Sequence, residues 1–170
     1  MNRRNALIET NIRCLRQALC LLERIDDATF AASPAGMEPH RAGAHLRHVL
    51  EFYQAFLEGV GAGHIDYDAR RRDPEMERSR RAAAAATKEI VRELRSSPAL
   101  RVDNVVFVHI EGALAQSAID RELQVLSSHT IHHFALIAVT LRLHGIPMPP
   151  EFGMAPSTLR YHATRAAEAA

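Results

Sequence analysis

The sequence predicts an all-α protein built as a four-helix bundle, with a small β-hairpin between the third and fourth helices. Three observations carry this. Apolar residues recur at three- and four-residue steps along four stretches of roughly twenty residues each. Clusters of proline, glycine and serine separate those stretches. A chain of 170 residues, 47% hydrophobic and 24% charged, is long enough for one packed core and ordinary in composition for a globular protein. Residues 1–170 therefore read as one domain, with roughly 156–170 as a C-terminal extension or frayed tail.

The first helix covers residues 3–26. Ile8, Ile12, Leu15, Leu19 and Leu22 form one stripe, and Arg3, Arg4, Arg13, Arg16 and Glu23 take the other faces. Residues 26–39 contain Ser-Pro, Gly and a second Pro, and read as a loop. The second helix, 41–60, turns Leu46, Val49, Leu50, Tyr53, Leu57 and Val60 inward and ends at Gly59, Gly61 and Gly63. The charged stretch HIDYDARRRDPEMERSRR follows. Inside it, Asp73-Pro74 supplies an N-cap and a first helical residue. The third helix then runs to about residue 95, with Met76, Ala83, Thr87, Ile90 and Leu94 on its core face, and Ser96, Ser97 and Pro98 stop it. Residues 100–110, LRVDNVVFVHI, are β-branched; with a turn at Asp103-Asn104 they make the hairpin or an extended connector. Ser117 and Asp120 resemble a capping box. The fourth helix reaches about residue 144 along a seam of Ile119, Leu123, Leu126, Thr130, His133, Ile137 and Thr140. Residues 134–141 are apolar nearly all round, which places this helix centrally or against a partner chain.

Several function classes are disfavoured by composition. A formal net charge of +1 gives no general case for nucleic-acid or membrane binding. No segment reaches the ~18 apolar residues that span a bilayer, and the N-terminus lacks the apolar centre of a signal peptide. Cys14 and Cys20, six residues apart on one helix, are badly placed to pair. A cytoplasmic location fits all of these points.

The chemistry concentrates in histidines. His129 and His133 are four residues apart and share one helix face. Two neutral imidazoles so stacked can share a divalent ion if a third ligand arrives from elsewhere; the plainer alternative is one buried, satisfied histidine and one at the surface. His48, at the edge of the second helix's apolar arc and next to Phe52, is the third ligand expected. His45 is nearly as good by spacing, and otherwise an outer neighbour or exposed. His132 is rotated by roughly 100° from His133 and lies off the seam. Asp66 and Asp68 could add a carboxylate over the site, and Arg70, Arg71 and Arg72 could bind an anionic substrate. The simpler readings are a solvated loop and a charged helix entrance screened by Asp73 and Glu75. His40, His64, His109, His144 and His162 read as surface residues.

Three stretches together resemble a known family: GAHLRHVLEFY in the second helix, SAIDRELQVLSSHTIHHFALIAVTLRLHGI in the fourth, with its H-x3-H ahead of LRxxG, and IDYDARRRD followed much later by FGMAPSTLRY. The chain resembles the DinB/YfiT-like four-helix bundles, a family of metal-binding proteins. The resemblance implies an up-up-down-down type of bundle, often dimeric, with one divalent ion, typically zinc or nickel, held by a histidine triad in a cavity at one end. By position that triad is His48, His129 and His133. It also implies, from some relatives, a low-molecular-weight thiol activated on the metal in S-transferases or isomerases. Many relatives continue after the second HH with Arg-Gly-Gln; this chain has Phe134, Ala135 and Leu136 there, so a contact made by those polar residues does not carry over.

The function expected is that of a divalent-metal-dependent enzyme acting on a small molecule, by thiol-dependent S-transfer or related metal-activated nucleophile chemistry, with hydrolysis by a metal-bound water as the alternative. No general base stands out; Asp66 and His45 are the candidates. The rival is a non-catalytic metal- or ligand-binding dimeric bundle. A homodimer is expected in either case.

Overall fold

The apolar stripes find their partners in four long helices, but the chain builds more than those. The computed structural model describes residues 2–38, 40–102, 105–110 and 112–168. The elements run α1 (Arg3–Leu22), α2 (Asp27–Ala31), α3 (Ala42–Val60), β1 (His64–Asp66), α4 (Glu75–Arg78), α5 (Arg80–Ser96), one turn of 3-10 helix (Pro98–Arg101), β2 (Val105–Ile110), β3 (Ala113–Ala118), α6 (Ile119–Leu143) and α7 (Pro156–Glu168). α1 and α3 each pack against both α5 and α6. Their inward residues, among them Ile12, Leu15, Leu46, Leu50, Ile90, Leu94, Leu123 and Leu126, form one continuous buried cluster.

The all-α four-helix bundle expected from the sequence is therefore not the fold. Besides the long helices, the described residues include three further α-helices and a three-stranded mixed sheet in the order β1-β2-β3. β1 runs parallel to β2, pairing His64 with Phe107, Ile65 with Val108 and Asp66 with His109. β2 runs antiparallel to β3, from Val105 opposite Ala118 to Ile110 opposite Ala113. Ile65, Val106 and Val108 point into the core, while Val105, Phe107 and Leu114 stay exposed. A hairpin thus stands between α5 and α6, but residues 100–110 supply only its first strand; the second is 113–118, and the turn is near Gly112, which has φ +81°. The turn expected at Asp103 and Asn104 falls outside the described residues.

Local contacts explain the other differences. The third predicted helix breaks at Ser79, whose hydroxyl caps α5 by accepting from Ala82 N–H. The adjacent Arg80 guanidinium donates to the carbonyls of Leu22 and Ile25, serving the open C-terminal end of α1. The turn of α4 lies directly on α3: a Cβ on Gly43 would stand 2.0 Å from Glu77 O, so only glycine admits that approach. The predicted loop 26–39 holds α2, capped by Asp26, which buries Phe30 completely. Phe56 rather than Leu57 is buried on α3. The predicted capping box does not form. Ser117 ends up in β3 and donates its hydroxyl to Glu122, and Asp120 pairs with Arg4 Nε at 2.6 Å.

On α6, Phe134 takes the core position assigned to His133, stacking on Phe152 at 4.8 Å. Ile137, Ala138 and Leu141 are internal, and Val139 and Leu143 are left exposed. Residues 156–168, within the expected C-terminal extension or tail, form a helix, and none of its residues is buried. Among the described residues no helix is long and apolar enough to cross a membrane. Cys14 is buried and Cys20 exposed, both free, as their helical spacing requires.

Candidate metal centre

α3 and α6 pack side by side, and one buried polar cluster sets their register. Tyr53 of α3 is fully buried. Its hydroxyl donates to Asn11 Oδ1 at 2.7 Å and lies 3.1 Å from Thr130 Oγ1 of α6. Asn11 Nδ2 donates to the carbonyls of Leu7 and Leu123. Burial pushes the Tyr53 phenol well above its usual pKa, so it stays a protonated donor. α1, α3 and α6 are thereby joined at one level, because an unpaired polar group there would be costly.

That level decides where the histidines go. His129 precedes Thr130 and His133 follows it by less than one turn, while His48 lies rather more than one turn before Tyr53. Their ring centroids stand 4.9 Å (His48–His129), 4.7 Å (His48–His133) and 4.5 Å (His129–His133) apart. One nitrogen from each falls within 4.8 Å of the others, a group able to hold a metal ion. The sequence-predicted triad is therefore brought together.

The donor set fits a divalent ion on two counts. His48 Nε2 and His129 Nε2 are 3.2 Å apart; two nitrogens on one tetrahedral ion with bonds of about 2.0–2.1 Å stand about 3.3–3.4 Å apart. The second count is protonation. Burial, followed by the neighbouring imidazoles, pushes His48 and His129 down to about 4 and His133 to about 3; Arg70 adds to the shift of the first two. All three are thus neutral at physiological pH, with lone pairs free to bind a metal.

Around the triad stand further residues, the first of them His45, which is an outer neighbour and not one of the three. His45 Nδ1 lies 3.1 Å from His133 Nδ1, within hydrogen-bond reach. His45 Nε2 lies 3.4 Å from Nδ1 of the exposed His40, so a chain of imidazoles runs from the surface to the triad. Phe52 covers one side, 4.1 Å from His129 and 4.8 Å from His48. Tyr67 stacks on Phe52 at 5.0 Å and donates its hydroxyl to Glu122. Arg70 lies 4.5 Å over Phe52 and donates to the carbonyl of Tyr67. Its Nε and His129 Nδ1 are buried and have no hydrogen-bond partner among the described residues.

The other candidates go elsewhere. Asp66 and Asp68 do not reach the triad; they form a separate group with His109, whose Nδ1 is 3.8 Å from Asp66 Oδ2. Asp66 also accepts from the backbone of Asp68 and Ala69, which holds its carboxyl below the usual range. Arg71 pairs with Glu58 in solvent. His132 is exposed, 5.2 Å from His133 ring to ring. Nothing in the spacing of His40 or Arg70 signals their positions, because both sit in loops and reach the site through tertiary packing alone.

No family model matches the chain, and no solved structure matches it. Among curated proteins it is similar to "FK506-binding protein 5" of Rhizopus delemar, with 33% identity over an alignment of 105 residues that covers 57% of this chain and 27% of that relative. The matched part is little more than a quarter of the relative's length, and it does not place the chain in a family.

Proposed function

We propose that the chain binds one divalent metal ion, zinc or nickel, through His48, His129 and His133, and that it is a thiol-dependent S-transferase or a related enzyme of metal-activated nucleophiles. The observation that carries this is the convergence of three neutral imidazoles from two helices, with His48 and His129 nitrogens 3.2 Å apart. When bound, such an ion supplies a Lewis acid that lowers the pKa of a thiol or water beside it. The resemblance of the α3 and α6 segments to DinB/YfiT-like proteins supports the choice of a thiol.

The protein's own groups have distinct tasks in this reading. His45 engages Nδ1 of His133 and so holds that ring. Phe52 shields His129 and His48 from water on one side. The Arg70 guanidinium adds a positive field that favours an anionic thiolate over a thiol nearby.

Elemental analysis of tag-free protein tests the site. About one ion per chain is expected for a three-ligand centre, lost in His129→Ala and in His133→Ala while the circular dichroism stays helical. Retention of stoichiometric metal in either variant rejects the triad. A second reading, a metal site without catalysis, is favoured by one observation: Asp66, the carboxylate candidate for a base, faces His109 instead. Loaded protein that consumes no thiol with any of a panel of small electrophiles decides for that reading.

A further inference from the structure

Between α1 and the segment after α6 lies a cleft that the histidine site does not use. Its volume is about 330 Å³, and it is walled by α1 and by residues 148–152 after α6. The floor is apolar: Leu21 and Phe152 are buried there, with Met148 beside them. The rim is cationic. Arg13, Arg16 and Arg24 line it, and with Cys20 they follow three- and four-residue steps that keep them on one side of the helix. Among the described residues none of these three arginines has an ion pair or a side-chain hydrogen bond, and Glu151 is the one acidic group in the lining.

The wall opposite α1 is held in place. Phe152 stacks on Phe134 of α6 with an interplanar angle of 4°. Gly153, at φ +72°, lies so near α6 that a Cβ would stand 2.4 Å from Ala135 N. A cleft built on such contacts exists before any ligand arrives, which removes most of the ordering cost of binding. Its volume is at the lower end of the range for ligand sites, about 300–1,000 Å³, which suits a small molecule and not a folded partner.

We propose that this cleft binds a small monocarboxylate with an aliphatic or aromatic body. The body covers Leu21, Met148 and Phe152. The carboxylate is held at the rim by the guanidinium groups, whose paired N–H donors match its two oxygens.

Cys20 offers a local readout, because it is exposed in the lining while Cys14 is buried. Alkylation of the full chain by N-ethylmaleimide is followed by intact mass, with and without decanoate below its self-association limit. Decanoate is expected to slow Cys20 alkylation by about tenfold or more, the ratio being taken within each variant. The exposed double variant R16E/R24E is expected to weaken that protection by about tenfold, the equivalent of about 1.4 kcal/mol. Decanol, of equal length without the charge, is expected to protect weakly, and His133→Ala is expected to protect as wild type does. Four results overturn the proposal: no protection by decanoate, equal protection by decanol, undiminished protection in R16E/R24E, or charge-dependent binding to anionic lipid vesicles without binding of monomeric decanoate.

Discussion

Removing one oxygen atom from the core should loosen the whole histidine site. Tyr53→Phe deletes the hydroxyl that donates to Asn11 Oδ1 at 2.7 Å and meets Thr130 Oγ1 at 3.1 Å. Tyr53, Asn11 and Thr130 are each 0% exposed, so no water replaces the lost partner. Thr130 keeps its bond to the Leu126 carbonyl and Asn11 Nδ2 keeps both of its acceptors. Asn11 Oδ1 alone is stranded. A stranded buried acceptor costs about 1–3 kcal/mol, and the ring itself still fills its space. With a urea slope of about 2 kcal/mol per molar, a loss of 2 kcal/mol moves the unfolding midpoint down by about 1 M with the slope unchanged. Because the same hydroxyl sets the level at which His48 meets His129, metal affinity should fall as well, although Tyr53 is no ligand. The double variant Tyr53→Phe with Asn11→Leu leaves no stranded oxygen and should recover part of the stability, a coupling readable in a double-mutant cycle. A Tyr53→Phe midpoint within about 0.2 M of wild type, a shift worth less than 0.5 kcal/mol at that slope, refutes the argument.

Two further outcomes are expected. In metal-free protein, stability should be full above the ordinary histidine value of 6.5 and should decline as the pH falls toward 4, because the unfolded chain takes up protons that His48, His129 and His133 refuse until about 4, 4 and 3. These rings are only half-buried, so solvent screening keeps the decline below what the full shifts imply; urea midpoints measured along this pH range, flat in wild type, would reject it, and His133→Ala should show a shallower slope. Gly153→Ala should lower the melting temperature more than Gly36→Ala. Both residues have φ above +70°, yet an added methyl meets Ala135 N at 2.4 Å at the first and nothing within 4 Å at the second. Backbone strain alone costs about 1–2 kcal/mol, or roughly 2–8 °C in a domain of this size, so equal melting temperatures for the two variants would show that the close approach is relieved.

What could be read from the sequence follows the range of the interaction involved. The His129–His133 pair was legible because helical spacing ties it; the apolar arc favoured His48 as the third member but left His45 nearly as good, and only the family resemblance chose between them. Met76, Ala83, Thr87, Ile90 and Leu94 were legible as a buried face by the same helical spacing. The sheet was not. β1 is three residues long inside a charged run, and its partner strand lies about forty residues away. β3, ALAQSA, is almost wholly exposed and shows no alternation. The break at Ser79 was not read either: its cap on Ala82 N–H is a short-range signal, but the contact of Arg80 with the end of α1 is not. Arg70 and His40 were placed with the solvated surface because a loop side chain carries no periodic mark of what it packs on.

The parallel pairing of β1 with β2 has a consequence for the order of folding. The two strands are joined through α4, α5 and the 3-10 turn, so their ladder closes a long loop, whose entropy is paid before any strand contact repays it. The β2–β3 hairpin closes only a short turn and can form early. β1 can join it only once α5 has docked on α1 and α3 and carried the chain back. The sheet should thus be completed last from its β1 side, with amide protection at Ile65 and Asp66 arriving after protection of α3 and α5. In this molecule the helical packing is the precondition of the sheet, and the sheet in turn fastens the far end of α3 to the strand pair that leads into α6.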